Sequence, residues 1–396
     1  MRFTNGIIIF FVIATVGVDE VLSTLFNYIT PKKITCWESN CQLRCNDCSI
    51  LNAGVANNFS CFQYATISVF ECSDTFHRVE MTSEFFYKIE KAEVIKITKT
   101  DARRIKPHTF PSSTTLREIY LPENNISIID EWAFGNMSAL THLYLNNNKL
   151  TLFNAFTIID GLSIKYLNLG NNFLIYDDDN LLDDEVYDFK SITSLNLDGN
   201  KFRNISMGNY ITHRELVKEV SMANNLLTLI LPQYFEPLTN LEVLNLAFNK
   251  ISSITQAFWN MMNLKTLILS HNSLIIFAEN DFPPKGHSSL QYLAIDYNHL
   301  GKMANIMQYT STLKKIAIEG NPWYCKCLRQ YRRAFHNRSI QEVCADNVEH
   351  ACIRSDTPCY VWFFSETAVQ PDLQVKLDNL VTANNTYYCV LNEFDQ

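Results

Sequence analysis

The chain has 396 residues, 47% of them hydrophobic, 19% charged and 12% aromatic, with a net charge of −8. That apolar content excludes a disordered chain, and the acid excess excludes general phosphate-backbone binding, so no nucleic acid partner is expected. Eleven glycines and eleven prolines are too few for a collagenous or proline-rich architecture.

Met1-Arg2 precedes the apolar run 7–18, followed by Asp19-Glu20. A short positive start and an apolar stretch well below the roughly 20 residues of a membrane span read as a secretory signal peptide over 1–23, cleaved between Ala14 and Ser23. No later segment approaches spanning length, and the tail 387–396 is too polar for a lipid-anchor signal. The expectation is a secreted, extracellular chain with no membrane span. Six Asn-x-Ser/Thr sequons, at Asn58, Asn125, Asn136, Asn204, Asn337 and Asn384, suit that compartment.

The twelve cysteines fall into two even groups with none between. Cys36, Cys41, Cys45, Cys48, Cys61 and Cys72 form the first; Cys325, Cys327, Cys344, Cys352, Cys359 and Cys389 form the second. In an oxidising compartment these are two disulfide frameworks whose pairing the sequence leaves open. The C-x-x-C spacing of Cys45 and Cys48 also suits a zinc cluster, but secretion favours disulfides, and no metal is expected.

Between the two groups the chain repeats itself. The pattern apolar-x-x-apolar-x-apolar-x-x-Asn-x-apolar is written by Leu116, Ile119, Leu121, Asn124 and Ile126. Further copies start at Leu140, Ile164, Ile192, Val217, Leu241, Leu264, Leu290 and Leu313, each with Asn in its ninth position. A weaker turn starts at Ala92 and a poorer one at Ile67. The pattern resembles the leucine-rich repeat, whose period is about 20–29 residues. The fold expected is an α/β solenoid, a leucine-rich repeat horseshoe with a parallel concave sheet and disulfide-bonded caps at both ends. Fourth and sixth positions alternate along a short strand and point inward, and a column of Asn side chains satisfies backbone groups where each strand bends away. Phe134, Phe235 and Phe258, a few residues further on, close the convex side.

The organisation expected is a signal peptide (1–23), a cysteine-rich N-terminal cap (24–91), about ten repeats (92–323), and a cysteine-rich C-terminal cap with tail (324–396). A cap helix is expected over about 328–336, with Arg329, Arg332, Arg333 and Arg338 giving one basic face. The acidic run containing Asp177, Asp183 and Asp188 reads as a solvated insertion, since it lacks the ligand order of a calcium loop.

No metalloprotease, nucleophile-elbow or phosphate-loop motif is present, so neither enzyme activity nor a cofactor is expected. The candidate site is instead the solvent side of the strands: Arg117, Tyr120, His142, Tyr144, Tyr166, Asn168, Asn196, Asn245, Phe248 and Tyr292. Tyr and Arg are favoured anchors at protein interfaces. Over nine repeats this face carries six basic residues (Arg117, Lys165, Lys218, Lys265, Lys314, Lys315) against seven acidic (Glu118, Glu123, Asp198, Glu219, Glu242, Asp296, Glu319). That balance disfavours nucleic acid or sulfated glycan. No sequon falls on it, which favours a protein ligand.

The whole layout, with Asn321-Pro322-Trp323-Tyr324-Cys325-Lys326-Cys327 opening the last cap and Phe59-Ser60-Cys61-Phe62 ahead of the repeats, resembles the secreted mosquito leucine-rich repeat immune proteins. The resemblance implies innate immunity, with complement-like thioester proteins or a pathogen surface as partner. Longer members of that family pair through C-terminal coiled coils. Here the tail carries Pro371 and no heptads, so a coil-less type is implied. Cys389, far from the others, is a candidate for a disulfide-linked oligomer, although an internal bond is simpler. The alternative reading is an extracellular matrix or developmental ligand-binding protein on the same scaffold.

Overall fold

The computed structural model describes residues 36–39, 42–45, 48–51, 67–73, 78–153, 164–175, 191–204, 213–235, 237–278, 281–284, 286–303 and 311–343. The signal-peptide segment, Cys41, Cys61, Cys344, Cys352, Cys359, Cys389, Asn58, Asn384, the acidic run 177–188 and the tail lie outside the described residues.

Each repeat contributes one strand to a single sheet. After the hairpin β1 (Cys36–Ser39) and β2 (Gln42–Cys45) come β3 (Val69–Ser73), helix α1 (Ser83–Lys88) and β4 (Val94–Thr98). The central strands follow, β6 (Glu118–Tyr120), β8 (His142–Tyr144), β9 (Tyr166–Asn168) and β10 (Ser194–Asn196). Next are β11 (Glu219–Ser221), helix α2 (Pro232–Phe235), β12 (Val243–Asn245), β13 (Thr266–Ile268), β14 (Tyr292–Ala294) and β15 (Lys315–Ala317). Helix α3 (Cys325–Asn337) and β16 (Gln341–Glu342) close the array. On the opposite side β5 (Arg104–Ile105) pairs with β7 (Ile128–Ile129) in a two-stranded sheet.

The 14 strands of the main sheet lie in chain order. Only β1 and β2 pair antiparallel; every later pair is parallel and in register from repeat to repeat. The fold is therefore the expected leucine-rich repeat solenoid. The two weak turns at Ile67 and Ala92 join it fully, as β3 and β4.

The pattern explains the packing. The middle residue of most short strands, such as Leu143, Leu167 or Leu244, is fully buried, while its neighbours there are half-exposed. The ninth-position asparagines are all buried. Asn172 is representative. Its Nδ2 donates to the carbonyls of Leu145 (3.0 Å), Leu169 (2.9 Å) and Gly170 (3.3 Å), and its Oδ1 accepts from Leu150 N–H (3.0 Å). One side chain thus ties its own repeat to the one before it. Opposite the sheet, Phe86, Phe110 and Phe134 stack in sequence at 4.3 and 4.9 Å, and Phe235 and Phe258 are fully buried further along.

The ends are sealed as the cysteine groups suggest. Cys48 and Cys72 are disulfide-bonded and fully buried. Cys45, Cys325 and Cys327 are disulfide-bonded as well. The cap helix begins at Cys325, earlier than the expected start near 328, because both cysteines are built into its first turn. It buries Leu328, Tyr331 and Phe335 against the last repeat, and Trp323 Nε1 donates to Ile318 O at 2.7 Å. The Tyr331 hydroxyl donates to Met303 O and accepts from Met303 N–H. Of its arginines, Arg332 is committed to an ion pair with Glu342 at 2.8 Å.

Candidate binding face

Parallel strands repeat at about 4.8 Å, so like residues at like positions stack. At the fifth position of the early repeats this gives a column. The Tyr120 and Tyr144 rings lie 4.1 Å apart at 7°, and the Lys96 ammonium sits 5.0 Å from the Tyr120 ring centre on the other side. Tyr166, from the third position of the next repeat, tilts against Tyr144 at 5.1 Å, and His142 stacks on Tyr166 at 5.8 Å. All four rings are half-buried. Tyr120 donates to Glu118 Oε2 at 2.8 Å. Burial, then hydrogen bonds to Glu118 and Tyr144, raise the Tyr120 phenol well above its usual range. Burial, followed by the charges around it, also raises Tyr166. Both hydroxyls stay protonated at physiological pH, with that of Tyr120 already donated to Glu118. Arg117, exposed at the adjoining second position, borders the patch.

The polar middle of the column has a different role. Asn168, Asn196 and Asn245 each accept a hydrogen bond from the backbone N–H two residues on, at 3.0, 2.8 and 3.1 Å. Asn245 also donates to Ser221 Oγ, which donates to Asp198 Oδ1. These side chains turn the chain at the strand ends, which leaves them little capacity for a ligand. Further on, Ala294 and Ala317 are buried, so they line the sheet without offering contact area. Tyr292 is half-buried, and burial together with Asp296 raises its phenol.

Phe248 does not sit on a strand. It occupies the eighth position, beyond β12, where the chain turns away from the sheet. The eighth residue of ten successive repeats, from Lys99 to Gly320, has φ between 52° and 64°. Asn147, Asn171, Gly199, Asn224 and Gly320 suit this left-handed conformation; Phe248 and Tyr297 do not, at about 1–2 kcal/mol each. The Asn and Gly residues at this position are the sequence signal for it. Phe248, His271 and Tyr297 stack in order at 4.3 Å each, within 11° and 6° of parallel. A Cβ at Gly320 would stand 2.4 Å from the Tyr297 ring, so only glycine fits beside it.

Charge is balanced overall but divided by edge. Arg117, Lys165, Lys218, Lys265 and Lys314 hold second positions at one edge of the sheet, all exposed, with Glu242 bridging Lys218 (3.7 Å) and Lys265 (2.6 Å). Asp198 and Asp296 hold seventh positions at the other edge. Glu319, which the repeat pattern groups with them, is buried. Lys96, which a count starting at residue 116 leaves out, belongs to the face. Among the described sequons, Asn136, Asn204 and Asn337 are exposed and Asn125 half-buried, and none lies on a strand. The described residues contain no helix long and apolar enough to cross a membrane, and no grouping of three potential metal ligands.

The leucine rich repeat family model matches residues 91–150 and 215–274. Among solved structures the chain is similar to the mosquito LRIM1/APL1C complex, with 17% identity and a TM-score of 0.56 over 81% of this chain and 59% of that one. It is also similar to the TLR13–ssRNA13 complex, with 21% identity and a TM-score of 0.53 over 66% of this chain and 37% of that one. The Drosophila Toll–Spätzle complex matches at 18% identity and a TM-score of 0.50, over 76% of this chain and 48% of that one. In each case the chain spans less than two thirds of the matched chain's length.

Proposed function

We propose that this chain is a secreted, protein-binding leucine-rich repeat factor of innate immunity, a recognition or adaptor protein without catalytic activity. It binds an extracellular protein partner through the aromatic patch of Tyr120, Tyr144, Tyr166 and His142, with Arg117 at its edge. The observation that carries this reading is the patch itself: four half-buried rings stacked on one face of the sheet, at strand positions clear of sequons. Preordered aromatic groups lose little entropy on binding, which is why such residues dominate interface energetics. The fold is also that of proteins solved as complexes with protein partners, LRIM1 with APL1C and Toll with Spätzle, and that likeness supports the class of partner.

The domain layout follows the same reading. Residues 1–23 direct secretion, 24–91 and 324–396 cap the array, and 92–323 present the face. Recovery of the tagged chain from cell medium, followed by capture of partners from body fluid and from insoluble matrix, tests it. Enrichment of complement-like thioester proteins or pathogen-surface components supports immunity. Retention in matrix supports the developmental alternative, and an intracellular chain contradicts both.

A further inference from the structure

The C-terminal cap is charged differently from the sheet. Helix α3 holds no carboxylate in its 13 residues, although the chain as a whole is acidic. Its cations divide by face. Arg332 is tied to Glu342 at 2.8 Å, whereas Lys326, Arg329 and Arg333 are exposed and make no ion pair or hydrogen bond among the described residues. Spaced i, i+3 and i+7, these three line one face of the helix over about 10 Å. Like charges three and four residues apart repel, and Lys326 stands in the first turn, where the helix dipole disfavours a cation. A locally unfavourable pattern held at an exposed position is expected at functional sites.

The side chains around this stripe say what it takes. The apolar residues of α3, Leu328, Tyr331 and Phe335, are buried in the cap, so the helix has no apolar face left for a bilayer. Its outer face offers no aromatic or large aliphatic side chain to anchor a protein partner or to stack on a base. What remains is unneutralised charge, two thirds of it planar guanidinium, which matches a tetrahedral oxyanion in bidentate fashion. The concave sheet, where acidic and basic residues nearly balance, lacks this property. We propose that the Lys326–Arg329–Arg333 face of α3 is a binding site for a sulfated polysaccharide, a linear polyanion that lays successive sulfates along the row of cations. A glycan on Asn337, exposed at the end of α3, would obstruct a flat protein or membrane surface more than a single polymer chain. The site lies at the end of the array and does not depend on the tyrosine patch, so a chain held on a sulfated surface keeps its concave face free. Salt releases a tether of this kind, which distinguishes it from retention in insoluble matrix.

The test passes the full secreted chain over immobilised heparin, with desulfated heparin, polyglutamate, single-stranded DNA and phosphatidylserine vesicles as comparators. Retention on heparin is expected at about 0.15 M salt. The log of the affinity should fall against log salt with a slope of about −2 to −3, because each of three cations displaces roughly 0.7–0.9 of a condensed counterion. Arg329→Gln/Arg333→Gln should bind about tenfold more weakly, with the slope reduced to about −1. It should melt no lower than wild type, since it relieves like-charge repulsion. Arg329→Lys/Arg333→Lys, which keeps the charge, should keep the slope. Lys149→Gln/Lys250→Gln removes two exposed cations elsewhere and should bind as wild type does. No retention on heparin, equal binding to any comparator, or undiminished binding by Arg329→Gln/Arg333→Gln would each overturn the proposal. So would a lowered Tm in that variant, by showing the arginines to be structural.

Discussion

The Tyr120 and Tyr144 rings lie parallel, 4.1 Å apart, because Tyr120 and Tyr144 are paired in register on adjacent parallel strands. Neither ring is needed to fill the core, which Ile119 and Leu143 occupy from the other side of the same strands. A stack of this kind is worth about 0.5–1.5 kcal/mol beyond its buried area. Tyr120→Ala should therefore lower stability by that amount plus the burial of a half-covered ring, about 1–3 kcal/mol in all, and leave the circular dichroism spectrum intact. A much larger loss in chemical denaturation would mean that the patch is scaffold rather than site.

The two asparagine columns should separate cleanly. Asn172→Ala removes the amide that donates to the Leu145, Leu169 and Gly170 carbonyls and accepts from the buried Leu150 N–H; the carbonyls keep Asn148 Nδ2, Asn200 Nδ2 and Asn147 N–H, whereas Leu150 N–H loses its acceptor. The orphaned N–H costs about 1–3 kcal/mol and the lost bonds to the carbonyls about 0.5–1.5 kcal/mol each, so a loss of roughly 3 kcal/mol is expected. Asn168→Ala removes one half-exposed bond, to Gly170 N–H, and should cost about 1 kcal/mol. Urea unfolding of both variants measures the difference, and equal losses would contradict the assignment of the ninth position as the joint between repeats.

How much of this is legible in the sequence depends on the range of each interaction. The strands, the buried asparagines and the convex phenylalanines follow from the spacing, since each repeat carries its own copy of the signal. Even Ile67 and Ala92, whose turns lack the Asn, fall into register because their neighbours template them. The candidate site is less legible. The spacing puts Asn168, Asn196 and Asn245 in the face but cannot show that their carbonyls are already used by the backbone. It also groups Phe248 with the strands, although the left-handed turn at its position sends it to the edge. Lys96 escapes the pattern because its repeat is a poor match to it. These are differences of side-chain direction, which composition and period do not encode.

Two glycines with similar backbone provide a controlled pair. At Gly286 (φ 85°) an added Cβ would meet nothing within 4 Å, whereas at Gly320 (φ 63°) it would meet the Tyr297 ring at 2.4 Å. Gly286→Ala should cost only the backbone preference, about 1–2 kcal/mol, and Gly320→Ala measurably more. Thermal unfolding of the two variants ranks them, and a Gly320→Ala chain as stable as Gly286→Ala would show that the stack of Phe248, His271 and Tyr297 yields freely.

Asp281 gives the pH dependence a direction. It is almost fully buried, and although it accepts bonds from Gln256 N–H (3.0 Å) and Ala278 N–H (2.8 Å), burial dominates and raises its carboxyl to about 6. The folded state therefore holds this proton between about pH 4 and pH 6 where the unfolded chain has released it. Its contribution to stability is present in full below about pH 4 and is lost as pH rises through 6. Glu80, exposed, and Asp101, half-buried, are lowered by their Lys106 and Arg103 neighbours and act in the opposite sense. Comparison with Asp281→Asn isolates the buried group. From pH 4 to 7 wild type should lose stability relative to the variant, on the order of 2–3 kcal/mol. A flat difference across that range would contradict the shift.

The Cys48–Cys72 bond joins residues 24 apart under the first strands. A loop of this length is worth about 3 kcal/mol in the chain-entropy account. Cys48→Ser with Cys72→Ser should loosen the N-terminal turns first, and hydrogen exchange should show β3 and β4 losing protection while β12 to β15 keep theirs. Uniform loss across the sheet would mean that the array unfolds as one unit.

The central claim is that a protein partner docks on the tyrosine patch of the sheet. Cross-linking mass spectrometry on the chain with a partner captured from body fluid, repeated on Tyr120→Ala/Tyr144→Ala, tests it most directly. The claim predicts cross-links from Lys96 and Lys165, which flank the patch, and their loss together with capture in the double variant. Undiminished capture by the double variant, with cross-links confined to residues away from the sheet face, would contradict it.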